Sequence, residues 1–256
     1  MNLFDTHFHI GDVENLEEYY ANAVNSGVSY FMAVGADYDE SVKSVEFSKR
    51  FENVYSSVGV HPHYADKFSN APNVFDEFIC DDVKAIGEIG LDYFYENSDR
   101  KQQRLMFESF LEYSLEKDLP TIIHCRDKDE KTTAYEECYS MLSDYSKSGG
   151  RFVVHCYTGN IDFMTRFLEL GAFIGITGIV TFPRATNVRE LLPHIPFERL
   201  FIETDSPYLA PVPYRGKKNT PAYVGEVAKC IASEMNIDLD RVIEQTTTNA
   251  KQFFSI

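Results

Sequence analysis

Short runs of β-branched and aromatic residues alternate along the chain with longer stretches of amphipathic spacing. The runs fall at 3–9, 29–34, 54–60, 84–89, 121–125, 151–155, 172–176 and 199–204, and each reads as a β-strand. Between them apolar residues return near every third and fourth position, the period of a helix with one buried face. The clearest case is Asp99 to Leu119, where Leu105, Phe107, Phe110, Leu111 and Leu115 mark the apolar face. Asp99 followed by Gln102 suits a capping box, and Pro120 stops that helix before the next strand. Helices are also predicted over 15–26, 39–51, 72–81, 130–147, 161–170, 187–193, 221–235 and 239–254.

Eight strands, each followed by a helix at a repeat of roughly 30 residues, predict a parallel β/α architecture. A length of 256 residues matches a single-domain (β/α)8 TIM barrel of the α/β class. A doubly wound open sheet has the same alternation. Against it, no G-x-G-x-x-G follows the first strand, and the chemistry-bearing residues are spread over the ends of many strands. No Ser/Gly-rich linker interrupts the chain, so residues 1–256 read as one domain.

Six of the seven histidines fall at predicted strand ends: His7 and His9, His61 and His63, His124, and His155. The seventh, His194 in LLPHIPF, reads as structural. In LFDTHFHI alternate side chains share a face, so His7 and His9 project together with Asp5 behind them. Glu88 sits in AIGEIGLDY, and a carboxylate within an apolar run is costly unless it is paired or binds a cation. Asp205, in LFIETDSPYLAP, follows the eighth strand. An internal salt bridge for Glu88 and a helix cap for Asp205 are the structural alternatives, and the histidines weigh against them.

His7, His9, Glu88, His124, His155 and Asp205 have the number and type of donors for two divalent ions. Imidazole and carboxylate suit zinc, manganese, cobalt, nickel or iron, and mixed donors also admit magnesium. On this reading Glu88 bridges the ions, His7, His9 and Asp205 complete one site, and His124 with His155 the other. Such pairs acidify water and neutralise charge growing on a phosphoryl oxygen, with Asp205 placed to act as general base. Cys125 and Cys156 each follow one of these histidines by one residue, so the strand pleat predicts inert thiols turned toward the outer helices.

The net charge of −16 argues against adhesion to nucleic acid or anionic lipid through the whole surface. It leaves open a polyanion held in one cleft made positive by bound cations. Arg215, Lys217 and Lys218, in YRGKKN, form a basic cluster beside the expected mouth, suited to a nucleic-acid backbone or to solvation alone. Arg126 is placed to hold a phosphate through its planar fork, and His63 to donate to a phosphate or a leaving group. Tyr157 lies near the same strand ends, and Tyr208 and Phe182 suit either base stacking or packing. No apolar run approaches the ~20 residues of a membrane helix. The opening MNLFDTHFH lacks a leader pattern, and five cysteines without C-x-x-C read as reduced thiols of a cytoplasmic protein.

Taken in order, DTHFH, GVHPH, AIGEIGLDY, IIHCRD, VVHCYTG and ETDSPYLAPVPYRGKKNTP resemble the TatD-type metal-dependent hydrolases, or TatD deoxyribonucleases, of the amidohydrolase-like barrel superfamily. The resemblance runs from residue 5 to residue 221. It implies a single-domain barrel that binds two divalent metals and hydrolyses phosphodiester bonds in DNA. It places the ligands on the six residues selected above. The loop CRDKDEKT carries more charge than the family pattern, and Cys125 and Cys156 stand where small or apolar residues are common. The expectation is therefore a cytoplasmic, monomeric deoxyribonuclease acting on single-stranded ends. Asp205, Glu88 and His63 are its catalytic groups, and Arg126, His63, Arg215 and Lys217 its substrate contacts. The same ligands would also serve a hydrolase of carboxylic esters or amides, such as a lactonase or a D-aminoacyl-tRNA deacylase. A non-catalytic barrel scaffold is the reading from a different class.

Overall fold

Each of the eight predicted runs forms a strand, and neighbours in sequence are neighbours in one parallel sheet. The computed structural model describes residues 2–128 and 131–256. The strands are β1 (Leu3–Phe8), β2 (Val28–Val34), β3 (Val54–Val58), β4 (Val83–Asp92), β5 (Thr121–Arg126), β6 (Phe152–Val154), β7 (Phe173–Ile176) and β8 (Leu200–Ile202). The helices are α1 (Leu16–Asn25), α2 (Tyr38–Arg50), α3 (Arg100–Lys117), α4 (Thr133–Lys147), α5 (Ile161–Glu169), α6 (Thr186–Leu191), α7 (Val224–Met235) and α8 (Leu239–Phe254). Glu130, where the sequence starts the fourth of these, lies outside the described residues. Among the described residues no helix is long and apolar enough to cross a membrane.

The first and last strands meet, and this makes the sheet a (β/α)8 barrel. The Asp205 N–H donates to the His7 carbonyl at 2.9 Å, and the His9 N–H to the Ser206 carbonyl at 2.7 Å. Side chains reinforce the seam. The Thr6 hydroxyl donates to the Ile202 carbonyl at 3.1 Å. The Thr204 N–H and hydroxyl reach the Asp5 carboxyl at 2.8 and 2.6 Å. Asp5 is fully buried and serves closure, not the ligand cluster that its place beside His7 and His9 suggested.

Two apolar cores follow from the strand alternation. One fills the barrel, where Phe4, Met32, Ala85, Ile122, Val153 and Phe201 meet Phe253 and Phe254 of α8. The last helix therefore plugs the end of the barrel away from the histidines. The other core lies between strands and outer helices and includes Phe107 and Phe110 of α3.

The helix expected over 72–81 is a 3-10 turn, Pro72–Phe78, so β3 is not followed by an α-helix. Pro72 sits in the first turn, and Phe75 and Phe78, three residues apart, eclipse on one side in that geometry. Both rings meet Tyr38, at centroid distances of 5.8 and 5.2 Å. For α3 Asp99 caps the helix as predicted, accepting from the N–H groups of Lys101 and Gln102, but its own N–H donates to Asp66 Oδ2 at 3.0 Å, so Gln102 does not close a capping box. The helix ends before Pro120, at Asp118, whose φ of 53° is left-handed. The strands predicted to reach 60, 155 and 204 stop pairing earlier, at Val58, Val154 and Ile202.

Phe254 is buried against Phe4 and Phe201, with centroids 6.1 and 5.8 Å away. Phe254→Ala is expected to cost about 3–5 kcal/mol, the usual range for emptying an aromatic site. Urea unfolding of the variant should show the lowered midpoint, and an unchanged midpoint would contradict the plug.

Candidate metal centre

Glu88 lies inside β4 and is 2 % exposed. Its N–H donates to the Gly35 carbonyl at 2.7 Å. Gly90, two residues on, lets β4 lie close to β5. A Cβ there, at a φ of +142°, would stand 2.0 Å from the His124 carbonyl oxygen. The close approach carries the Glu88 carboxylate in among imidazoles from four other strand ends.

The two carboxylate oxygens face different partners. Oε2 lies 3.4 Å from both His7 Nε2 and His9 Nε2, which are themselves 3.2 Å apart. Those edges match the ~3.3 Å edge of a tetrahedron built on ~2.0 Å metal–ligand bonds. Asp205 Oδ1 lies beside the same two nitrogens, at 3.8 and 3.7 Å. Oε1 lies 2.8 Å from His124 Nδ1 and 2.6 Å from His155 Nε2, with those nitrogens 3.4 Å apart. The six residues thus form two donor groups sharing one carboxylate, and their chemistry fits divalent ions.

A second layer of acceptors orients the rings. The His9 Nδ1–H donates to the Val34 carbonyl at 3.0 Å, which leaves Nε2 turned inward. Asp92 Oδ2 lies 2.9 Å from His124 Nε2 and 3.1 Å from His63 Nε2, so one carboxylate holds both rings. Glu203 Oε1 accepts the Cys156 N–H at 2.6 Å and stands 3.6 Å from His155 Nδ1. His7 stacks on His155 with centroids 3.9 Å apart.

The electrostatics follow from burial and these neighbours. Burial works against the Glu88 anion, but His155 and His61 beside it hold the carboxyl well below its usual range. Burial lowers His7, and the like charge of His155 beside it lowers it further. Burial also disfavours the His9 cation, yet Glu88 and Asp205 outweigh it and raise the ring to about 9. His155 is raised well above its usual value against the same burial cost, by Glu88 and Glu203. Burial raises the carboxyl of Asp205.

His63 is 24 % exposed at its side chain and sits at the opening, turned by Asp92. The guanidinium of Arg126 lies over the rings of Phe94 and Tyr95, at 4.2 and 5.0 Å. Arg215, Lys217 and Lys218 are exposed on the loop after β8. Arg215 covers the Phe182 ring at 3.7 Å, so that face of Phe182 is taken. Lys217 lies 5.7 Å from the Tyr214 ring centre. Among the described residues neither basic side chain meets the histidine cluster. Tyr208 is 63 % exposed, edge-on to His9. Tyr157 is buried, its hydroxyl donating to the Asn160 carbonyl at 2.7 Å, and faces no substrate.

Cys125 packs behind its strand as expected. Cys156 does not. The chain leaves β6 at Val154 and turns left-handed at Cys156, φ 45°, so the pleat no longer sets its direction. Its sulfur lies 3.4 Å from the Thr177 hydroxyl, within reach of the Asp205 charge. Three residues of the site escaped the sequence reading. His61 Nε2 lies 3.3 Å from His124 Nδ1 and 3.6 Å from Glu88 Oε1, and it was flagged only as a strand-end histidine. Asp92 and Glu203 stand inside motifs already quoted, four residues after Glu88 and two before Asp205. Their acidity within buried runs was the available signal.

The family model described as TatD related DNase matches residues 4–255. A Bacillus subtilis protein named uncharacterized metal-dependent hydrolase YabD is 32 % identical over 259 residues, covering 99 % of each chain. The Salmonella typhimurium protein named 3'-5' ssDNA/RNA exonuclease TatD is 34 % identical over 245 residues, covering 92 % of this chain and 91 % of its own. Among solved structures, the TatD homologue YjjV of Escherichia coli superposes with a TM-score of 0.90 at 24 % identity. It covers 99 % of this chain and 98 % of its own, a likeness of fold.

Two outcomes are expected. Glu203→Ala should lower divalent-ion affinity about 10–100-fold, as loss of a supporting acceptor usually does. Competition with a chelating dye measures this, and unchanged affinity would remove Glu203 from the support. With His9 raised to about 9, an ion entering at neutral pH must displace its proton. Apparent affinity should therefore rise with pH through about 9 and level off only once His9 and His155 have both lost their extra protons. Calorimetry in buffers of different ionisation enthalpy should register the released proton, and no buffer dependence would contradict it.

Proposed function

The chain belongs to the TatD-related DNase family and is a metal-dependent hydrolase, and from that premise we propose that it is a deoxyribonuclease trimming single-stranded ends with two divalent ions. The observation that carries the reading is the shared carboxylate: Glu88 Oε2 faces His7 and His9, and Oε1 faces His124 and His155 with His61 farther off. Single-stranded nucleic acid as substrate is supported by the printed name of the Salmonella relative.

His7, His9 and Asp205 would hold one ion, His124 and His155 the other, and Glu88 both. Ions held there supply an acidified water and positive charge for the phosphoryl oxygens. A donor set rich in imidazole favours zinc, manganese, cobalt, nickel or iron over magnesium. Asp205 stands beside His7 and His9 with its carboxyl raised by burial, which suits it to take the proton of the attacking water. His63, turned by Asp92 at the opening, is the group placed to donate to the leaving oxygen. Arg126 grips phosphate through its fork, and Arg215 and Lys217 draw the strand toward the opening by charge. One chain supplies the whole donor set, and a monomer is the assembly proposed.

Glu88→Ala and His155→Ala are expected to lower cleavage of 3'-labelled single-stranded DNA at least ~10³-fold, a loss typical of removing an essential group in transition-state stabilisation. Chelation should abolish cleavage and added divalent ion restore it, while circular single strands should resist. Metal-dependent cleavage of an aminoacyl ester with none of DNA would overturn the nuclease reading in favour of the deacylase class.

A further inference from the structure

A cavity of about 830 Å³ opens beside the histidine cluster, between the loops after β5 and β6 and helix α6. Its size falls within the ~300–1,000 Å³ of sites that take organic ligands. Arg126, two residues after His124, lines it together with Phe94, Tyr135 and Asn187. The Arg126 guanidinium lies over the rings of Phe94 and Tyr95, at 4.2 and 5.0 Å, and has no carboxylate partner among the described residues. Its neighbour Asp127 does not neutralise it. That carboxylate accepts the N–H groups of Lys128 and Ala134, each at 2.8 Å. The two rings confine the guanidinium by cation–π contact, and its N–H groups have no acceptor among the described residues, which leaves them for a tetrahedral anion. Two other acids line the cavity, Asp162 and Glu190, and both are exposed. Lys128 and Lys131 line it as well, also exposed, so the rim carries charges of both signs while Arg126 stands inside without a carboxylate partner among the described residues.

We propose that this cavity is the subsite for the nucleotide adjoining the scissile phosphate, with Arg126 on its flanking phosphate and its base in the space lined by Tyr135 and Asn187. This rests on the phosphodiesterase reading and specifies the substrate: one nucleotide beyond the cleaved bond is gripped. Further phosphates would meet exposed charges of both signs, Lys128 and Lys131 against Asp162 and Glu190, which largely cancel in solvent, so the gain from chain length saturates early.

The test compares kcat/KM of the metal-loaded enzyme on bis(p-nitrophenyl) phosphate and on oligothymidylates from dinucleotide to octanucleotide. Turnover should rise on the order of tenfold between dinucleotide and trinucleotide, the size of one charge-assisted hydrogen bond, and then flatten. In Arg126→Ala the octanucleotide-to-small-diester ratio should fall by the same order. Asn187→Trp, which fills the cavity from α6, should lower the ratio independently, so the test survives if one variant fails to fold. Diester turnover without length preference, or a ratio unchanged in the folded variants, would overturn the subsite and leave the hydrolase reading intact. No turnover of any phosphodiester would remove both.

Discussion

A carboxylate taken out of water inside a barrel is stable only if cations or protons surround it, and that constraint on Glu88 organises the site. Its two oxygens point in different directions: Oε2 meets the nitrogens of His7 and His9, and Oε1 those of His124, His155 and, farther off, His61. The surroundings serve that arrangement. Gly90 removes the side chain that would hold β4 away from β5, and the Gly35 carbonyl fixes the backbone of Glu88 itself. Replacing one imidazole leaves a buried charge short of a partner, which couples the stability of this region to its capacity for ions.

The barrel separates its tasks along its axis. At one end Phe4, Phe201, Phe253 and Phe254 pack a dry aromatic plug. At the other lie the histidines and carboxylates. A polar layer with satisfied bonds lies between. Asp5 with Thr204 and Thr6 with the Ile202 carbonyl join β8 to β1, and Ser57 donates to the Gly87 carbonyl at 2.8 Å. The seam matters to the chemistry because the closing backbone bonds are made by His7, His9, Asp205 and Ser206 themselves. Closing the barrel and bringing Asp205 to His7 and His9 are the same event.

The outer acids give the histidines direction. Asp92 holds His124, inside the cluster, and His63, at its opening, so the two rings share one support. Glu203 joins His155 to the backbone of the turn after β6. His9 and His124, bonded on the far nitrogen by Val34 and Asp92, keep the near nitrogen aimed at the centre, while His7 Nδ1 and His155 Nδ1 have no acceptor within hydrogen-bond distance.

Hydrophobic periodicity determined the eight strands, their order and the barrel, because strand-length apolar runs alternating with amphipathic helices have few other ways to bury their faces. It also placed His7, His9, Glu88, His124, His155 and Asp205 at one rim, since a parallel barrel puts all its strand ends on one side. The residues that were not legible lie mostly where a strand stops or inside a run already read for another residue. Cys156 and Asp205 turn left-handed beyond the regular strands, which end at Val154 and Ile202, and there alternation no longer says where a side chain points. Whether His61 or His63 entered the cluster, and that Glu203 backs His155 while Asp205 faces His7, were decided by bonds between strands far apart in sequence. The local pattern fixed which residues reach the rim; only barrel closure and the turns beyond it decided their directions, because those depend on partners that no local pattern contains.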